Sequence, residues 1–165
     1  MPTVLLALGS NLGPRINHLR AARQKLATRV TIGASSAIYE TEPLYVTEQP
    51  AFLNMVLRGD VDISPEELLA FIKKAEHDLG RAASVRFGPR VIDIDIIDYD
   101  RRQLQRLGLI IPHPRVHERA FVLRPLAEVA PRWSHPRSGK TALQLLRALP
   151  EKQKIHPYAE TTVAP

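Results

Sequence analysis

The sequence contains no cysteine, which removes disulfides, thiolate metal centres and cysteine nucleophiles from consideration. No run approaches the roughly 18 apolar residues that a membrane span needs. Residues 1–8 pass straight into a strand-like stretch, without the basic flank or small-residue cleavage site of a secretory signal. Internal repeats, low-complexity tracts and linker-like segments are all missing. These absences lead to the expectation of a soluble cytoplasmic protein with no membrane partner. Acidic residues are also in short supply, 17 against 23 lysines and arginines, for a formal net charge of +6. That balance suits a polyanionic ligand, whether nucleic acid, nucleotide or phosphate ester, and it equally suits a merely basic surface.

What is present fits one ordinary domain. The 165 residues, 44% of them hydrophobic, are enough to bury a substantial core, and the 24% charged content argues against disorder. Residues 3–8 are apolar and β-prone, and the Gly9–Gly13 stretch breaks them. This loop lacks the Lys-Ser/Thr pair of a P-loop and the spacing of a dinucleotide fingerprint, so it reads as a tight turn leading into a helix. Pro14 suits the first helical position, and Ile16, Leu19, Ala22 and Leu26 follow at helical spacing. Strands are expected over 31–39 and 52–61. Ser64 and Glu67 form a capping-box pattern ahead of a helix carrying Leu68, Ile72, Ala75 and Leu79. The clearest strand spans 91–99, and a hairpin arm is expected at 107–111. Helices are expected over 120–129 and 141–149. The resulting order, β-α-β-β-α-β with additions, is the ferredoxin-like split βαβ arrangement, an α+β fold with an antiparallel-rich sheet.

The sharpest local signal lies in the strand at 91–99. Alternate side chains of a strand share a face, so Ile92, Ile94 and Ile96 point one way while Asp93 and Asp95 point the other. The two aspartate Cα atoms should lie about 6.5–7 Å apart at roughly 3.3 Å of rise per residue. Two carboxylates so placed can converge on hard cations such as magnesium. Any half-buried strand with a wet face shows the same alternation. Asp98 falls on the isoleucine side of this pattern, where the strand should meet water. Around the strand stand Arg81, Arg86, Arg90, His113, Arg115, His117 and Arg119. Arginine grips phosphate bidentately, and phosphoryl-type transfer needs alignment and positive charge more than covalent help. Each arginine alone could instead solvate a loop or pair with an acid; the cluster points to a triphosphate. Phe52 and Asn54, two apart on a strand, share a face on which a flat heteroaromatic could stack and hydrogen-bond. They could also be core and ladder end.

Taken together, these segments resemble the 6-hydroxymethyl-7,8-dihydropterin pyrophosphokinase family of folate biosynthesis. The resemblance rests on Leu8-Gly-Ser-Asn-Leu-Gly13, Tyr39-Glu-Thr-Glu-Pro43, Gln49-Pro-Ala-Phe-Leu-Asn54 and Leu79-Gly-Arg81. It continues through Phe87-Gly-Pro-Arg-Val-Ile-Asp-Ile-Asp95 and Ile111-Pro-His-Pro-Arg115 to the stretch from His117 to Pro131. The motifs occur in the family's order and span roughly residues 4–131. The resemblance implies a three-layer α-β-α sandwich elaborated on the ferredoxin-like core. Residues 1–150 would form a single pyrophosphokinase domain and 151–165 a flexible tail.

By the same resemblance, Asp93 and Asp95 would hold two magnesium ions against ATP. Phe52 and Phe121 would sandwich the pterin, Asn54 would bond its edge, and Thr41, Pro43 and Leu44 would wall its pocket. Arg81, Arg90, His113 and Arg119 would grip the triphosphate and support catalysis. Leu69, Glu76 and Ile96 would contact the nucleotide. The implied reaction moves the β- and γ-phosphates together onto the pterin hydroxymethyl group and releases AMP, with small-molecule substrates, no nucleic acid and a monomeric enzyme. The family's second basic residue after Gly80-Arg81 is replaced by Ala82-Ala-Ser84, its tryptophan by Phe87, and an arginine by Gly108. These departures fall in loops that the resemblance expects to close over the substrates, and closure is also expected around 43–49 and 81–87. The rival readings are a basic ferredoxin-like RNA-binding module and a two-metal nuclease or nucleotidyl transferase. Asp93 and Asp95 stand where the first would place aromatics, and the second has no need of the Phe52/Asn54 pocket.

Overall fold

The computed structural model describes residues 1–42, 48–81, 89–150 and 153–158. The chain begins with strand β1 (Thr3–Ser10), helix α1 (Arg15–Leu26) and strands β2 (Thr31–Ser35), β3 (Tyr39–Thr41) and β4 (Phe52–Asp60). Helix α2 (Pro65–Asp78) and strand β5 (Asp93–Tyr99) follow, then a hairpin of β6 (Leu104–Arg106) and β7 (Leu109–Ile111). A 3-10 turn (Val116–Glu118) leads into α3 (Ala120–Val129), α4 (Ala142–Arg147) and strand β8 (Ile155–Pro157).

The main sheet runs β5-β1-β4-β3-β8, with β2 also on β4, and each of its pairings is antiparallel. This is the split βαβ order expected from the sequence. Alternation along each strand divides the sheet into two faces. Val4, Leu6 and Leu8 of β1, Leu53, Met55 and Leu57 of β4, and Ile92, Ile94 and Ile96 pack with Leu19, Leu26, Leu68 and Ile72 of α1 and α2. The opposite face carries Leu5, Val56 and Ile97 against Val122, Leu123 and Leu126 of α3 and Leu145 of α4. Three layers, α-β-α, result.

Local chemistry explains the element ends. The Ser64 hydroxyl accepts from the Glu67 amide at 3.1 Å and opens α2. Thr141 and Gln144 close a reciprocal capping box at α4. The strand expected over 31–39 is broken because Ser36 bonds both backbone groups of Val56: its amide donates to the carbonyl at 2.9 Å, and its hydroxyl accepts from the amide at 2.9 Å. Leu107 and Gly108, expected within a strand arm, form the hairpin turn instead, with Gly108 at φ +74°.

Two further expectations are corrected. Asp98 does not stay on the isoleucine face or meet water: the β1–β5 register shifts between Leu5 and Leu6, so Asp98 pairs with Leu5 and turns to the α3 side, 2% exposed. Nor is the whole of 151–165 a loose tail, since Ile155–Pro157 pair antiparallel with Tyr39–Thr41 as an edge strand. The apolar content of that segment is low because edge-strand pairing needs backbone groups rather than hydrophobic side chains.

Candidate functional site

The face of the sheet turned toward α3 is apolar at one end and opens into a cavity of about 230 Å³ at the other. Its floor is a register-defined row. Gly9 of β1 sits between Asp93 of β5 and Asn54 of β4, and Ala7 lies beside Asp95. The cavity exists because the middle strand contributes only a hydrogen at residue 9 and a methyl at residue 7. A Cβ built on Gly9 would stand 3.0 Å from Asn54 Oδ1 and 3.6 Å from the Phe52 ring. Phe52 and Asn54 share this face and both line the cavity. Thr41 adjoins them, its hydroxyl accepting from Asn54 Nδ2 at 2.8 Å, which orients the amide carbonyl.

The opposite wall comes from residues far along the chain. His113 follows β7, and Arg119, Phe121 and Val122 open α3. The Arg119 guanidinium lies 5.7 Å from the Phe121 ring centre. Arg81, just past α2, and Arg90, before β5, close the remaining sides. Thus Thr41, Phe52, Asn54, Arg81, Arg90, Asp93, Asp95, His113, Arg119 and Phe121 line one space. Phe52 and Phe121 come together across a long stretch of chain because β4 lies centrally in the sheet and α3 packs over it.

Three residues expected to contact the nucleotide are not among those lining this cavity. Leu69 and Ile96 pack into the apolar layer under α1 and α2, on the other face of the sheet. Alternation along β5 forces this for Ile96, whose neighbour Asp95 takes the cavity side. Glu76 is 3% exposed; its carboxylate accepts from the Ile94 amide at 2.9 Å and from Arg81. Arg81 also donates to Asp93 Oδ1 at 2.9 Å, so Glu76 acts beneath the cavity by anchoring the arginine that reaches Asp93. Pro43, Leu44, Arg86 and Phe87 lie outside the described residues, as do most of the 43–49 and 81–87 loops.

Asn11 is the residue that pattern reading missed. It is buried, its backbone amide donates to the Arg90 carbonyl at 3.0 Å, its side-chain Oδ1 accepts from the Arg90 amide at 2.7 Å, and its Nδ2 donates to Gln49 Oε1 and the Pro50 carbonyl. One side chain therefore ties the β1 turn to two segments bordering the cavity. A buried asparagine within a Gly-Ser-Asn turn was the available signal, since such a group must find partners.

The electrostatics are divided. Burial, then the neighbouring Asp93 and Glu76 carboxylates, push Asp95 up to about 7 against the pull of Arg119 and Lys73. Burial, with Arg119 and Arg115 nearby, pushes His113 down to about 4. The His113 ring is therefore neutral near pH 7, and its Nδ1 accepts from the Arg115 amide at 3.1 Å, leaving Nε2 as a donor. Among the described residues no group of three His, Asp or Glu forms a ready-made metal cage. Magnesium needs none: it takes one or two carboxylates and completes its shell with water and substrate phosphates. A carboxyl pushed up to about 7 beside a second carboxylate is a donor set that a divalent cation relieves, so the residues fit such an ion.

Comparison with known proteins supplies the context. A family model described as 7,8-dihydro-6-hydroxymethylpterin-pyrophosphokinase (HPPK) matches residues 5–131. The 2-amino-4-hydroxy-6-hydroxymethyldihydropteridine pyrophosphokinase of Bacillus subtilis is 44% identical over 126 residues, covering 75% of this chain and 75% of that protein. The Aquifex aeolicus protein of the same name is 40% identical, covering 82% and 85%. The folic acid synthesis protein FOL1 of Dictyostelium discoideum is 41% identical over 164 residues, and the match spans only 25% of that longer protein. Among solved structures, wild-type Plasmodium falciparum HPPK-DHPS superposes with a TM-score of 0.71 at 15% identity, over 88% of this chain and 44% of that one. The described residues include no helix long and apolar enough to cross a membrane.

Proposed function

The chain belongs to the 7,8-dihydro-6-hydroxymethylpterin-pyrophosphokinase family, and on that premise we propose that it transfers the β- and γ-phosphates of ATP, as one unit, to the hydroxymethyl oxygen of 6-hydroxymethyl-7,8-dihydropterin, releasing AMP in folate biosynthesis. The observation that carries this reading is the single cavity faced by both the Asp93/Asp95 pair and the Phe52/Asn54/Phe121 group. A carboxylate pair ringed by arginines suits a metal-bound triphosphate. Two aromatic rings with an amide between them suit a flat heterocycle that bears an alcohol. A nuclease would need the first half alone, and an RNA-binding sheet would not turn two aspartates toward a phosphate backbone.

Within this reading the pterin lies between Phe52 and Phe121, with the oriented Asn54 carbonyl and the Thr41 hydroxyl at its edge. Arg81, Arg90 and Arg119 hold the triphosphate, and neutral His113 offers a further N–H to it. The new bond forms between the alcohol oxygen and the β-phosphorus as the hydroxyl proton passes to solvent, while the bond from that phosphorus to the α-phosphate oxygen breaks and the charge leaves on AMP. Alignment and positive charge provide most of the acceleration in such a step. Asp93 and Asp95 would hold two magnesium ions, whose contribution is to neutralise the phosphate oxygens and fix their orientation. Incubation with ATP, magnesium and the reduced pterin should yield AMP and the pterin pyrophosphate in equal amounts. AMP that forms at the same rate without pterin would refute the assignment.

A further inference from the structure

Helix α3 starts in an unusual way. Its cap residue is Arg119, in an extended conformation (φ −114°, ψ 98°), and no side chain at the cap bonds the first-turn amides. Those amides still need partners. The carbonyl of Arg119 takes the Val122 and Leu123 amides. The Ala120 amide is met from a distance by Gln153, whose Oε1 accepts it at 2.9 Å while its Nε2 donates to the Glu118 carbonyl at 2.8 Å. One side-chain amide thus brackets Arg119 on both sides and sits one residue from Phe121.

The segment carrying Gln153 is itself fixed to the opposite wall of the cavity. Strand β8 pairs with β3, setting Ile155 against Thr41. The Tyr158 amide donates to the Ile38 carbonyl at 2.9 Å, and the Arg15 guanidinium lies 5.6 Å from the Tyr158 ring. Residues 153–158 therefore join β3, which bears Thr41, to the turn that bears Arg119 and Phe121. The join lies beyond the 5–131 stretch that the family model matches.

We infer that Gln153 is a positioning residue: by clamping the Glu118 carbonyl and the Ala120 amide to the β8 edge strand, it sets the direction in which Arg119 and Phe121 enter the cavity. This rests on the reading above that Phe121 faces the pterin and Arg119 the triphosphate. The physical reason is that the extended backbone entering the helix lies outside the helical ladder on its N-terminal side, where the Arg119 amide makes a long bond of 3.3 Å to the Val116 carbonyl. Two hydrogen bonds to the peptide groups flanking Arg119 restrict its φ and ψ, and small misplacements at a reacting centre are costly in rate.

The test uses the full chain as wild type, Gln153→Ala, Gln153→Glu, Phe121→Ala and the Gln153/Phe121 double variant. Amide exchange at Ala120 is measured alongside KM for the pterin, KM for ATP and the melting temperature. In Gln153→Ala, loss of the bonds should speed Ala120 exchange by about tenfold and raise the KM for the pterin, through Phe121, and for ATP, through Arg119, with the melting temperature little changed. Gln153→Glu keeps the acceptor for the Ala120 amide, and its charge suits a helix start, but it loses the donor to the Glu118 carbonyl, so it should retain Ala120 protection and recover only part of the pterin affinity. In the Phe121→Ala background the Gln153→Ala effect should largely disappear. Unchanged Ala120 protection, multiplicative effects of the two substitutions, or a pterin KM that rises only as stability falls would each overturn the inference. If wild type fails to turn over the pterin, the functional assignment fails. Unchanged Ala120 exchange in Gln153→Ala would even then refute the clamp by itself.

Discussion

Strand β5 carries an aspartate near an aromatic side chain toward each of its ends, Asp95 half-buried and Asp98 buried, and the two pairs behave differently. At the cavity end Asp95 faces Asp93, with Glu76 close behind, and Phe121 stands across open space. At the far end Asp98 accepts from the Arg101 amide at 2.8 Å beneath the packed indole of Trp133, which is 7% exposed. Both carboxyls are raised above the usual range, first by burial. The difference is in what surrounds them. Asp98 finds a local backbone partner where Asp100 and Arg101 adopt left-handed φ values of 51° and 56°, so it stabilises a tight turn. Asp95 is crowded by other carboxylates, an arrangement that weakens the ligand-free fold and makes sense when a cation is bound. A raised carboxyl by itself therefore does not mark a site; Asp95 differs in sharing its cavity with a second carboxylate of the same strand and with the Phe52/Asn54/Phe121 group.

Substituting the two aspartates should separate their roles most sharply. Asp95→Ala should lower AMP production by about a thousandfold or more, as expected when a transition-state charge stabiliser is lost, while far-ultraviolet dichroism stays native. Asp98→Ala should leave turnover nearly intact. Near-normal activity in the first variant, or equal losses in both, would erase the contrast. The aromatic partners come next. Phe121→Ala should weaken pterin binding by about ten- to a hundredfold, equivalent to ~1.4–2.7 kcal/mol, with little change for an ATP analogue measured by titration calorimetry. Equal losses for both ligands would contradict the stacking role. Smaller again, Asp98→Ala should cost about 1–3 kcal/mol of stability by leaving the Arg101 amide without its partner, read as a lower urea midpoint. A midpoint that stays put would show the turn holds itself.

The subtlest expected effect is on pH dependence. Asp95 is raised from 3.8 to about 7, so the ligand-free fold keeps a proton that the unfolded chain has released. Its stabilising contribution is complete below pH 3.8 and disappears as pH rises through about 7. His113, lowered from 6.5 to about 4, acts oppositely, adding stability as pH rises from 4 to 6.5. The difference between wild type and Asp95→Asn in urea midpoints across this range isolates the aspartate. A constant difference would mean that Asp95 titrates normally. Added magnesium, by displacing the Asp95 proton, should flatten the wild-type slope between about pH 4 and 7.

Much of this contrast was legible in the chain itself. The Ile/Asp alternation of β5 predicted that Asp93 and Asp95 share a face, and it did so because strand geometry fixes the direction of every second side chain. The same rule applied one step further misplaced Asp98, since the register shift opposite Leu5 and Leu6 depends on how β1 pairs and leaves no local signature. Phe52 and Asn54 could be read as neighbours from their spacing, whereas Phe121 joined them only through the family resemblance. Glu76 was expected at the nucleotide, and its burial under Arg81 follows from how α2 docks on β5. The split of 31–39 into two strands rested on a single serine hydroxyl finding Val56.

The sequence by itself determined the helices, the strand faces and the acidic pair, because each is written in spacings of two to four residues that local geometry obeys wherever the segment ends up. Only the tertiary structure decided which of those faces would meet. It set Gly9 between Asp93 and Asn54, brought α3 over β4, and carried Gln153 back to the start of α3. Such juxtapositions depend on sheet order and on pairing between distant segments, which many different sequences can satisfy and no short pattern records.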